Sequence, residues 1–299
     1  MRVLHLIKNS PYSMLCFPNC KINLGLYVTN RRDDGYHDIE TVFYPLPLLD
    51  VLEIVPAAET QLHLSGLAVS GNIADNLVWK AYQLLHKNIP EKNIPLAPFA
   101  PHKASAKGGI PPLDIYLNKT IPMGAGLGGG SADGAYMLRL LNDYCHLSLS
   151  NEELASFAAQ LGSDCPFFIY NSPQFATGRG ELMTEIALNL DGYSIQLICP
   201  DVHMATATAF SLITPKPAAY DLRQLPKLPI EQWKTNISND FEQIVFQQHP
   251  VLADIKQQLY EGGAIYAAMS GSGSVIFGIF PKDKKAMIKS GTHFKEHYF

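Results

Sequence analysis

Residues 122–135 read PMGAGLGGGSADGA, and the rest of the chain is organised around them. Six glycines, a serine and an aspartate stand here, with Leu127 the one sizeable apolar residue inside the glycine run. Before the stretch, LDIYL (113–117) alternates and is rich in strand formers, which predicts a strand. After it, Ala135, Met137, Leu138, Leu140 and Leu141 recur at helical spacing, which predicts a helix from near Ser131 to near Asn142. The order is strand, glycine loop, helix start. Glycines let the backbone take positive φ and let a ligand approach bare main chain. A helix start adds unpaired N–H groups and a positive dipole end, and together these favour a phosphate.

Two familiar phosphate loops fit poorly. No lysine precedes Ser131, so this is not the G-x-x-x-x-G-K-[ST] loop. Gly124, Gly126 and Gly129 formally match G-x-G-x-x-G, but six residues (118–123) separate them from the predicted strand. The acids at the distance where a dinucleotide fold wants one, Glu152 and Glu153, instead follow Ser150 in an S-x-x-E capping box. A dinucleotide-binding module is therefore the weaker alternative.

Pro-x-x-x-Gly-Leu-Gly-Gly-Gly-Ser resembles the ATP-phosphate loop of the GHMP kinases. Three further segments occur in that superfamily's order. Pro18-Asn19-Cys20-Lys21-Ile22-Asn23-Leu24 is similar to its Pro-Ala-Lys-Ile-Asn-Leu opening, departing by one position before the lysine. Gly162-Ser163-Asp164-Cys165-Pro166 is similar to its Gly-Ala-Asp-Val-Pro, and Met269-Ser270-Gly271-Ser272-Gly273-Ser274 to its C-terminal glycine motif, which packs against the phosphate loop. Arg32-Asp33-Asp34-Gly35-Tyr36-His37 resembles the turn of the branch that phosphorylates a cytidine-diphosphate-linked methylerythritol in non-mevalonate isoprenoid precursor synthesis. Another GHMP small-molecule kinase, acting on mevalonate or homoserine, is the alternative within the superfamily.

The resemblance implies an α+β protein with a ribosomal-protein-S5-like N-terminal domain over 1–178 and a ferredoxin-like C-terminal domain over 179–299. It implies ATP and Mg²⁺ as cofactors, with no metal ligands assigned. It places Asp164 as catalytic base with Lys21 as its partner. On the ATP side it places Asn76, Lys119, Pro122, Gly124, Gly126, Leu127, Gly128, Gly129, Gly130, Ser131 and Asp133. On the acceptor side it places Asn23, Tyr36, His37, Thr206 and Phe210, although the prolines common around residues 203–210 are absent here. Residue by residue, other readings stay open: Lys21 as a solvated strand lysine, Ser163 or Asp164 as the cap of a short helix, Asp75 as the N-cap of a helix running to His86, and Phe210 as core.

Elsewhere the chain reads simply. Lys21 to Thr29 alternates, with Ile22, Leu24, Leu26 and Val28 on one face, which predicts a half-buried strand followed by a hairpin turn at 32–35 and a second strand over 36–44. The proline-rich stretch 89–112 predicts a long exposed loop. Residues 1–16 lack the apolar core and small-residue cleavage site of a signal peptide. The 299 residues are 47% hydrophobic and 17% charged, with a formal net charge of −4. That charge argues against a nucleic-acid or anionic-membrane partner. Five cysteines without a C-x-x-C pair point to reduced thiols in a cytoplasmic protein. The resemblance implies ATP and a small-molecule substrate as partners of a monomer or homodimer.

Overall fold

In chain order, the described residues of the computed structural model form twelve strands: β1 Met14–Cys16, β2 Asn19–Arg31, β3 His37–Leu49, β4 Val51–Pro56, β5 Gln61–Gly66, β6 Leu113–Lys119, β7 Gln174–Thr177, β8 Leu182–Glu185, β9 Tyr193–Pro200, β10 Tyr266–Met269, β11 Ile276–Pro281 and β12 Phe294–Tyr298. Its α-helices are α1 Leu77–Asn88, α2 Gly129–Tyr144, α3 Asn151–Leu161, α4 Cys165–Tyr170, α5 Thr206–Leu212, α6 Trp233–Asn236, α7 Glu242–Gln248 and α8 Pro250–Glu261. The structure describes residues 13–69, 71–89, 110–290 and 292–299. The expectations for residues 1–12 and for most of the loop 89–112 lie outside the described residues.

The elements gather into two compact units, each drawn from separated stretches. The first comprises residues 1–19, 49–121 and 129–170; the second comprises 20–48, 122–128 and 171–299.

In the first unit, one sheet runs β1-β4-β6-β5, antiparallel except for the parallel β5–β6 pair. β6 alternates as predicted: Leu113, Ile115 and Leu117 are buried, while Asp114, Tyr116 and Asn118 are more exposed. α2 starts two residues earlier than its apolar spacing suggests, at Gly129, and buries Met137, Leu138 and Leu141. α1 is capped by Asn76, whose side-chain oxygen accepts the Val78 N–H at 2.9 Å. The alternative cap, Asp75, instead pairs with Lys80 at 3.5 Å. α3 carries the capping box read from the sequence, with Ser150 and Glu153 bonding each other's backbone N–H.

The second unit has two sheets, β2-β3-β7-β8 and the antiparallel β10-β11-β9-β12. β2 departs from the half-buried expectation, because ten consecutive residues from Asn19 to Val28 are buried. The reason is that both faces are covered. Leu26 and Val28 join a core with Phe241, Val245, Ile276 and Phe280, and on the other face a Cβ at Gly25 would meet Leu222 and Ile237 within 3 Å.

Candidate functional site

Three glycines of the loop, at 124, 126 and 128, have φ of +64°, +84° and +71°. The requirement is sharpest at Gly126, where an added Cβ would fall on the Ser270 carbonyl oxygen. Neighbouring backbone holds the loop. The Lys21 N–H donates to the Leu127 carbonyl at 3.0 Å, and the Val275 N–H donates to the Ala125 carbonyl at 3.2 Å. The Ser270 hydroxyl donates to the Gly126 carbonyl at 2.8 Å. The C-terminal glycine motif thus packs on the loop as the resemblance implied. Asn239, which the sequence reading passed over, fixes that motif in turn, donating to the carbonyls of Met269 and Gly271 at 2.8 Å each. Its signal was an asparagine just ahead of an amphipathic helix, which by itself reads as a cap.

Lys21 and Asn23 project from β2 into the same network. Both are buried, and the Lys21 ammonium donates to Asn23 Oδ1 at 2.6 Å while lying 4.8 Å from the centre of the Phe43 ring. Asn23 Nδ2 donates to the Thr41 hydroxyl at 2.9 Å, and Thr41 passes its proton on to the Gly25 carbonyl at 2.6 Å. The Asn23 backbone N–H donates to the Ser270 hydroxyl at 3.2 Å. Polar groups this deeply buried are tolerated because each finds a partner. The chain therefore ties the lysine, the asparagine and the glycine loop together within one unit.

The acceptor-side candidates also fall in the second unit. Tyr36 is 56% exposed, and the Arg179 guanidinium lies 4.9 Å from its ring centre. His37 stacks on Phe210 with ring centroids 5.1 Å apart. Burial, aided by nearby Arg31, lowers the pKa of His37 and so favours the neutral imidazole. Phe210 is half-buried, meeting Phe241 edge-on at 4.8 Å. It is thus anchored to the core on one side and stacked by a histidine on the other. Thr206, at the start of α5, exchanges a hydrogen bond with Ser272 at 3.0 Å.

Apart from Pro122, the first unit holds the remaining candidates. Asp164 is half-buried just before α4. The neighbouring Cys165 is fully buried, and burial pushes its thiol up to about 12, which leaves it inert as a nucleophile. Lys119 and Asp133 are not displayed at a surface. The Lys119 side chain is 1% exposed and bonds Asp133 at 2.6 Å and Asp50 on its other side. Asp50 was missed by the sequence reading. A signal for it exists, because Asp50 is in phase with the buried Leu52 and Ile54 at period two. Gly129 is a helical residue without positive φ. A Cβ there would lie 2.8 Å from Ile121 Cγ2 and 3.3 Å from Lys119 Nζ, so its glycine is required by close packing.

Among the described residues, no group of three or more His, Cys, Asp or Glu could hold a metal ion, and no helix is long and apolar enough to cross a membrane.

Family profiles match at residues 76–172 for the GHMP kinases N terminal domain and at 223–290 for the GHMP kinases C terminal domain. The chain is 47% identical over 283 residues to the 4-diphosphocytidyl-2-C-methyl-D-erythritol kinase of Parabacteroides distasonis, covering 95% of this chain and 94% of the relative. It is 49% identical over 276 residues to the protein of that name from Bacteroides fragilis, covering 91% and 94%. A crystal structure of 4-(cytidine 5'-diphospho)-2C-methyl-D-erythritol kinase superposes with a TM-score of 0.70 at 28% identity, covering 89% of this chain and 90% of that one. The mevalonate kinase of Methanococcus jannaschii, at 13% identity and a TM-score of 0.62, shares the fold.

Proposed function

This chain belongs to the 4-diphosphocytidyl-2-C-methyl-D-erythritol kinases of the GHMP superfamily, and from that premise we propose how its residues divide the work. The reaction is transfer of the γ-phosphoryl group of ATP to the 2-hydroxyl of 4-diphosphocytidyl-2-C-methyl-D-erythritol. Phosphoryl transfer asks a protein for positioning and charge neutralisation more than for covalent chemistry. The observation that carries the reading is the glycine loop itself, with three positive-φ glycines, a backbone pinned by Lys21, Ser270 and Val275, and a chain that leads into the N-terminus of α2. Such a loop offers rigid N–H groups to phosphate oxygens, and a rigid donor array costs nothing to reorganise during reaction.

Asp164 takes the proton of the acceptor hydroxyl as the P–O bond forms, and Lys21 steadies the charge beside it. The half-buried Asp164 supports this role, as does a buried Lys21 whose ammonium is oriented by Asn23. Ser131 and Asn76 complete the ATP side. Mg²⁺ would travel on the phosphates of ATP, a usual arrangement for this ion, and would supply charge neutralisation there. On the acceptor side, Phe210 and Tyr36 offer aromatic faces to cytosine, and the neutral His37 offers one donor and one acceptor to its polar edge. The five free cysteines support a reducing, cytoplasmic setting.

An ATP-consumption assay across four acceptors tests the reading. The cytidine substrate is expected to be turned over, and mevalonate, homoserine and galactose are not. Turnover of one of those three with none of the cytidine compound would overturn it.

A further inference from the structure

Residues 122–128 leave the first unit after Ile121 and the chain re-enters it at Gly129. Those two bracketing residues touch, since a Cβ on Gly129 would lie 2.8 Å from Ile121 Cγ2. The ammonium of Lys119 sits 3.3 Å from that same Cβ position. It bonds Asp133, one helical turn after Gly129 in α2, at 2.6 Å, and it bonds Asp50. The Asp50 carboxylate also accepts the backbone N–H groups of Thr120 and Ile121, the latter at 2.9 Å. One carboxylate therefore holds the outgoing chain, the other belongs to the incoming helix, and the lysine joins them. All three side chains are at least 98% buried.

We propose that Asp50, Lys119 and Asp133 form an ionic clasp that closes the base of the phosphate loop, making the two aspartates positioning residues for ATP. The inference rests on reading residues 122–131 as the site of the ATP phosphates. In this role Lys119 and Asp133 act on the nucleotide through the loop backbone. The clasp explains why charges sit where β6 would otherwise end in an apolar residue, because Lys119 is in phase with the buried Leu113, Ile115 and Leu117. A buried ion cluster is a poor source of stability compared with apolar packing, so its presence calls for a geometric purpose. Among the described residues Asp133 Oδ1 has no hydrogen-bond partner, which fits a carboxyl held for its other oxygen. Burial, with Asp50 adding to it against the opposing pull of Lys119, pushes Asp133 up to about 8.

The test compares Asp50→Asn and Asp133→Leu with the parent enzyme in steady-state kinetics. Each variant is expected to raise the KM for ATP about tenfold while moving the KM for the cytidine acceptor less than about twofold, the split that marks a loosened nucleotide site. A general loss of structure would raise both together. Folded variants with an unchanged KM for ATP, or with both constants rising in parallel, would overturn the clasp. Should Asp50→Asn fail to fold, Asp133→Leu decides alone, because an apolar residue of similar size replaces a buried acid without leaving a new charge unpaired. Gly126→Ala separates this idea from the reading beneath it. If Gly126→Ala loses ATP binding and the clasp variants keep it, only the clasp fails; if all three keep it, the loop does not hold ATP.

Discussion

The described structure buries two lysines, and their surroundings differ in kind. Lys119 in the first unit is flanked by two carboxylates, and its charge is cancelled where it stands. Lys21 in the second unit donates to the amide oxygen of Asn23 and lies over the Phe43 ring. A neutral amide fixes the direction of an ammonium. A carboxylate fixes the direction and offsets the charge as well. The contrast teaches that a buried charge has to be judged by its partners, because burial alone is equal in the two cases.

The largest effect expected from this contrast is on turnover. Lys21→Met should lower kcat by about 10²–10³-fold, the range for removing a preorganised electrostatic group, with ATP affinity retained. Asp164→Asn should lower kcat by about 10²–10⁴-fold, as for a general base. Lys119→Met should instead act on ATP affinity and melting temperature. If Lys21→Met and Lys119→Met gave the same kinetic signature, the distinction between the two lysines would collapse.

Next in size is the acceptor side. Phe210→Ala should weaken the cytidine substrate by about 1–3 kcal/mol, the value of one aromatic stacking face, mostly in KM and without effect on ATP. Cytidine monophosphate should compete with the substrate better than uridine monophosphate. Loss of ATP affinity, or a melted protein, would return Phe210 to the core that it already touches through Phe241.

The smallest effect sharpens the view of the first unit. The Asp133 carboxyl is raised from 3.8 to about 8 in the folded chain. The folded protein therefore binds a proton that the unfolded chain has lost, and the stability this group contributes is full below about pH 4. It declines as pH rises above that and is gone once pH passes about 8. Asp133→Asn removes the titration, so its melting temperature should fall less between pH 6 and pH 9 than the parent's. Parallel melting curves would show that the acid is ordinary.

Much of this was legible in the chain. The strand, loop and helix around residues 113–144 follow from alternation, glycine content and helical spacing, and the Ser150 capping box from its spacing. β7 and β8 were not legible, because four residues each, QFAT and LMTE, carry too short a pattern to rise above loop. For β2, alternation identified the strand but not the burial of its polar face, which depends on residues 222, 237 and 270 far along the chain. The glycines of the loop look uniform in sequence. Only the structure separates Gly126 and Gly128, which need positive φ, from Gly129, which needs space. Lys119 and Asp50 were open to detection by phase alone. A motif reading draws the eye to glycines and away from a charge standing in an apolar rhythm.

The interleaving of the two units has a consequence for how the chain is made. β2 leaves the ribosome early, yet the hydroxyl that meets the Asn23 backbone belongs to a residue 247 positions later. Leu26 likewise pairs with Ser238 and Asp240, which are synthesised long after it. Through much of translation, a strand with ten consecutive residues destined for the interior has β3 beside it but not the later residues that cover its faces. Long-range closure of this kind slows folding and leaves apolar surface exposed to other nascent chains. The second unit thus cannot close around β2 until residues 238–270 have emerged.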